Sequence, residues 1–74
     1  MSKRVSFIDQ GIEEWTQVLP LLHSNLYSLI SHLSLHSNNL RNVDAKCIGM
    51  LTALISLDLS SNNVWKIKVA YEKP

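Results

Sequence analysis

One five-position pattern of apolar and polar residues recurs along this chain: L-x-x-L-x-L-x-x-N-x-L, with Ile and Val equivalent to Leu. Ile30, Leu33, Leu35, Asn38 and Leu40 fill it once. Leu54, Leu57, Leu59, Asn62 and Val64 fill it again 24 residues later, and the agreement extends to Val43 and Ile67. A degenerate copy stands before both. Val5, Phe7, Gln10, Ile12 and Trp15 take the places of Leu33, Leu35, Asn38, Leu40 and Val43, at a spacing of 28 residues. Gln10 replaces the asparagine, and the polar Ser2 falls where the pattern has Ile30. A weakened first copy suits a terminal repeat, which faces a neighbour on one side only.

In each copy the Leu-x-Leu pair alternates with polar residues, which is the period of a β-strand. Leu33 and Leu35 are therefore expected to point inward and His32, Ser34 and His36 outward. Leu57 and Leu59 likewise point inward, with Ser56, Asp58 and Ser60 outward. The copies are expected to stack as parallel strands about 4.8 Å apart, and parallel strands need a crossover between them. The first crossover, from Ile12 to Leu29, has Trp15, Val18, Leu19 and Leu22 at helical spacing, with Glu13 and Glu14 expected in the first turn. Pro20 interrupts this helix or begins a second one. The second crossover has Asp44 as candidate N-cap, followed by Cys47, Ile48, Leu51 and Leu54 on one face. Cys47 thus reads as a small core residue. Asn38 and Asn62 are expected to carry structure: the chain turns sharply after each strand, and a side-chain amide can pair both the N–H and C=O groups left over.

The two full copies identify the chain as a member of the leucine-rich repeat superfamily. The short form, with N-x-L followed by Val43 or Ile67, resembles the intracellular class typified by the phosphatase-1 regulatory subunit with 22-residue repeats. The resemblance implies an α/β fold: a leucine-rich repeat solenoid fragment, with parallel strands on a concave face and helical or 3-10 crossovers on a convex one. Repeats then occupy residues 1–67, as a degenerate cap copy (5–29), a second copy (30–53) and a third (54–67), followed by an irregular tail (68–74). The order Phe7-Ile8-Asp9-Gln10-Gly11-Ile12, Leu33-Ser34-Leu35-His36-Ser37-Asn38-Asn39 and Leu57-Asp58-Leu59-Ser60-Ser61-Asn62 resembles the first repeats of centrosomal proteins that join leucine-rich repeats to a coiled coil. That likeness covers residues 5–67 and implies a cytoplasmic protein at the centrosome or cilium.

The tail breaks the pattern. Trp65, Ile67, Val69 and Tyr71 alternate with mostly polar residues, which is compatible with a short edge strand bearing lysines and a final proline. A proper cap is not evident. The last repeat is expected to expose Leu57 and Leu59, leaving an end open to self-association. The chain reads as a truncated N-terminal part of a longer scaffold.

Composition narrows the chemistry. With 7 basic and 6 acidic residues the net charge is +1, which gives no electrostatic footprint for nucleic acid and no polybasic run for a membrane surface. No apolar run approaches the roughly 18 residues of a transmembrane helix. Cys47 is the single cysteine, so an internal disulfide is ruled out; with no Asn-x-Ser/Thr site, this favours a reducing, intracellular compartment. At 74 residues the chain lies near the lower limit for independent folding.

Ser34, His36 and Asp58 share the outward face and invite a hydrolase triad. Catalysis also needs an oxyanion site and a pocket that excludes water, which an open sheet face does not offer. His32 and His36 have zinc-ligand spacing only on a helix; on a strand they stand roughly 13 Å apart. The two glycines, Gly11 and Gly49, make no phosphate-cradling loop. The expectation is a non-enzymatic protein-interaction module without cofactor or metal, binding a protein partner and neither nucleic acid nor membrane. Its contact residues are His32, Ser34, His36, Ser56, Asp58 and Ser60 on the concave face, with Trp65 as an exposed aromatic anchor. The alternative is a structural capping fragment with no binding activity of its own.

Overall fold

The computed structural model describes residues 2–63 and 70–72. Strand β1 (Lys3–Ser6) leads into helix α1 (Trp15–Val18) and two 3-10 turns (Leu19–Leu21 and Ser24–Leu26). Strand β2 (Ile30–Ser34), helix α2 (Ala45–Met50), strand β3 (Ser56–Asp58) and strand β4 (Ala70–Glu72) follow. The strands form one sheet in the order β1-β2-β3-β4. The first three are parallel and β4 is antiparallel to β3. The class is therefore α/β, with helical crossovers joining parallel strands.

The register reproduces the alignment of the sequence copies. Val5 pairs with Leu33 and Leu33 with Leu57, while Ser6, Ser34 and Asp58 form the next row. The pairing continues past the strand ends at matching positions. Phe7 N–H donates to Ser34 C=O as Leu35 N–H does to Asp58 C=O, and Asp9 N–H to His36 C=O as Ser37 N–H does to Ser60 C=O. One expected equivalence fails. Lys3, and not Ser2, pairs with Ile30, because the register slips between Lys3 and Arg4. Ser31 is the extra residue of this bulge. It is buried, and its hydroxyl donates to the Lys3 carbonyl at 3.2 Å.

After each strand the backbone turns through one left-handed residue at the same place in each copy: Asp9, Ser37 and Ser61, with φ of 56, 58 and 57°. The next residue closes the turn. Asn38 Oδ1 accepts from Gln10 N–H and Ile12 N–H, both at 3.0 Å. Its Nδ2 donates to the carbonyls of Phe7 (2.7 Å) and Leu35 (2.9 Å). Asn62 repeats the arrangement one copy later, accepting from Leu40 N–H and donating to Leu35 and Leu59. Each amide thus binds its own turn to the preceding copy.

The crossovers are more broken than the periodicity alone predicts. Helix α1 is a single turn, and Pro20 lies in the 3-10 turn that follows it; a proline without N–H fits there because a helix start leaves that donor unpaired. Glu13 and Glu14 precede the first turn instead of occupying it. Glu14 is the N-cap, and the Gln17 side chain accepts from both their N–H groups. Helix α2 begins as expected, with Asp44 Oδ1 accepting from Lys46 and Cys47 N–H. The core gathers the pattern leucines of all copies with Ile12, Trp15, Val18, Leu22, Cys47 and Leu51. Trp15 Nε1 also donates to the Asn42 carbonyl at 2.8 Å, tying the first crossover to the second.

The end of the sheet differs from expectation. Leu57 and Leu59 are 1 and 2% exposed. Nor is β3 the edge of the sheet: β4 runs antiparallel beside it, with Tyr71 in register with Leu57. Of the two readings of the tail, irregular chain or edge strand, residues Ala70–Glu72 take the second. Ile67 and the remaining tail positions lie outside the described residues.

Replacing Asn38 by leucine removes the partner of Gln10 N–H, Ile12 N–H and Phe7 C=O in the preceding copy, while Leu35 C=O keeps its bond from Asn62; the cost is about 1–3 kcal/mol for each group that stays buried and unpaired. Asn38→Leu is therefore expected to lower the urea midpoint more than Asn62→Leu, whose Oδ1 serves a single N–H. Midpoints equal to that of the unaltered chain would contradict the turn-closing role.

Candidate functional site

The alternation of β2 and β3 places His32, Ser34 and His36 beside Ser56, Asp58 and Ser60 on one face of the sheet. All six are half-buried. His32 is register partner to Ser56 and Ser34 to Asp58. Ser34 Oγ donates to Asp58 Oδ2 at 3.4 Å, and His36 Nδ1 meets Ser60 Oγ at 2.6 Å. Asp58 Oδ1 accepts from Ser60 N–H at 2.9 Å. At the start of the strip, His32 Nδ1 meets the Ser31 hydroxyl at 2.8 Å. The structure thus brings six of the seven expected contact residues together. The seventh, Trp65, lies outside the described residues.

The register also brings in residues that the pattern search passed over. Arg4 pairs with His32 and Ser6 with Ser34, so the face extends across β1 and carries a guanidinium at one margin. The signal was available in the sequence, since placing Val5 over Leu33 puts Arg4 and Ser6 in these rows. The degenerate first copy drew attention to its apolar positions only.

The Asp58 carboxyl is held below the usual carboxylate range. The Ser60 side chain lowers it most, followed by Ser60 N–H, while partial burial opposes them; the His36 ring and the Ser34 hydroxyl lower it further. The same bonds define what the cluster can do. In a Ser-His-Asp relay the carboxylate holds the second nitrogen of the imidazole. Here Asp58 bonds the two serines, and His36 meets Ser60 from the far side. The geometry is a hydrogen-bonded strip tying strand to strand. Among the described residues no group of three or more His, Cys, Asp or Glu stands together as a metal site.

Clefts occur away from this face. One of about 450 Å³ is lined by Val43, Ala45, Ile48, Gly49, Leu51, Thr52 and Leu54 along α2, and another by Glu13, Glu14, Gln17 and Arg41. Cys47 belongs to the core. Burial pushes its thiol upward, and the Asp44 carboxylate adds to the shift through its charge and a hydrogen bond.

Comparison of the chain with protein-family models, curated proteins and solved structures finds no match. No helix among the described residues is long and apolar enough to cross a membrane.

Two outcomes are expected. The carboxyl of Asp58 is lowered on folding, so it contributes stability that is present above the unfolded value near 3.9 and is lost as pH falls through the folded value. Asp58→Asn should therefore be less stable than the unaltered chain at pH 7, with the gap closing below about pH 4; parallel stability curves over that range would remove the contribution. Cys47, protonated and buried, should react with a thiol reagent only at the rate of unfolding. Full labelling under native conditions within the mixing time would place the thiol at the surface.

Proposed function

We propose that the chain is a leucine-rich repeat segment serving as a non-catalytic, intracellular protein-interaction module of a cytoskeletal or centrosomal scaffold. The observation that carries this reading is the polar strip of His32, Ser34, His36, Ser56, Asp58 and Ser60, aligned in rows across parallel strands. In a solenoid this face is the concave one, and such faces bind extended protein surfaces. The repetition of register, left-handed turn residue and asparagine closure from copy to copy supports the repeat assignment. The centrosomal or ciliary setting rests on sequence resemblance alone.

A second reading is a structural cap without a partner of its own. What favours it is the pairing within the strip: His36 meets Ser60, and Asp58 bonds Ser34 and Ser60. A partner must then compete with bonds that already satisfy these groups.

Capture from cell extract, followed by cross-linking mass spectrometry, separates the two readings. A partner of the module should be lost with Asp58→Arg and with His36→Glu and kept with Met50→Lys, a change at an exposed position of α2. Binding that ignores both face variants, or no protein captured in preference to the Met50→Lys control, would favour the cap.

A further inference from the structure

The outer edge of β1 has no strand beside it among the described residues. The inward backbone groups of this segment belong to Lys3, Phe7 and Asp9, whose N–H groups donate to Leu29, Ser34 and His36. Successive residues of a strand direct these groups to opposite sides, so Arg4, Ser6 and Ile8 direct theirs outward; the Ile8 carbonyl accepts from Gln10 Nε2 at 3.0 Å, a solvent-exposed bond that a pairing strand displaces. All three residues are exposed, Ile8 at 48%. An open edge of this kind is a template for another strand.

The segment is complementary to itself. Laid antiparallel on a second copy with Ser6 opposite Ser6, it sets Arg4 against Ile8, Val5 against Phe7 and Lys3 against Asp9, each twice across the twofold axis. The outward-facing residues then form the hydrogen-bonded pairs. Val5 and Phe7 form the other kind, in which side chains stand closer. Both are only partly buried although they pack against the core, so an apolar neighbour across the seam covers what the fold leaves open. Lys3 and Asp9, both exposed, bring opposite charges to each end of the seam, Asp9 from the left-handed turn residue that closes the segment. Neighbouring registers do worse. Sliding two residues one way sets Lys3 against Phe7 and removes both charge pairs. Sliding the other way sets Val5 against Asp9. A twofold interface of this type is self-limiting, because it uses up the edge of both copies.

We propose that the chain forms a twofold dimer through antiparallel pairing of β1 with β1 of a second copy, centred on Ser6. The dimer joins two sheets into one continuous sheet and leaves the polar strip of each copy on its face. It is independent of the partner-binding reading above.

Sedimentation of the 74-residue chain over a concentration series tests this. The unaltered chain should dimerise. Ser6→Pro removes an outward N–H and not a bond to β2, so it should give monomer with an unchanged circular dichroism spectrum. Lys3→Glu and Asp9→Lys each set like charges opposite each other at both ends of the seam, and should weaken the dimer by about tenfold. An equimolar mixture of these two variants restores opposite charges at both ends, and should form a heterodimer tighter than either variant alone. A monomer at every concentration, a dimer indifferent to Ser6→Pro, or a mixture no tighter than its components would each overturn the proposal.

Discussion

The structure depends on a side-chain amide placed one residue after a left-handed turn. The turn at Ser37 or Ser61 aims backbone N–H and C=O groups toward the interior, where an unpaired group costs about as much as several methylenes gain. Asparagine has donor and acceptor on one short, rigid arm, so it can serve its own strand and the preceding copy together. Asn38 reaches Leu35 in its own turn and Phe7, Gln10 and Ile12 in the copy before. Gln10, at the same position of the first copy, is exposed and donates back to Ile8 in its own turn. There is no preceding copy among the described residues for it to hold, so the longer side chain suffices.

The leucines that stack in register on one side of the sheet force the residues between them onto the other. Rows of like positions follow: Arg4 with His32 and Ser56, and Ser6 with Ser34 and Asp58. Serine, histidine and aspartate at this spacing bond each other across strands, and that mutual pairing holds the Asp58 carboxyl low. A face built this way has defined acceptors and donors, with the Arg4 guanidinium on β1 and the Asp58 carboxylate on β3.

A chain this small has few interior positions, so its sheet edges weigh heavily in its behaviour. The two edges are treated differently. Beside β3 the sheet reverses direction and β4 pairs with it antiparallel, and Leu57 and Leu59 at this end are buried. Beside β1 the outward groups of Arg4, Ser6 and Ile8 face no strand of the described chain. The charges at this edge, Lys3 and Arg4, discourage indiscriminate pairing, while their order relative to Asp9 still permits one register with a second copy.

Much of this was legible in the chain itself. Spacing of leucines and asparagines determined which residues are buried, which strands are parallel and which row each outward residue joins, because side-chain direction in a strand has a period of two and the copies must superpose. Asp44 as N-cap and Cys47 as core followed from the same reasoning. Other features were decided only when the elements packed. The slip that pairs Lys3 with Ile30 goes with a bond from the buried Ser31 hydroxyl to the Lys3 carbonyl. The break at Pro20 was legible in the first crossover, but the bond from Trp15 Nε1 to the Asn42 carbonyl, which ties that crossover to the next, was not. The reversal that seats β4 on β3 has no counterpart in the repeat. Local pattern fixes a residue's face and its place in a copy; it carries no information about a bond whose partner lies in a different copy or in a segment outside the pattern, and such bonds form only in the tertiary structure.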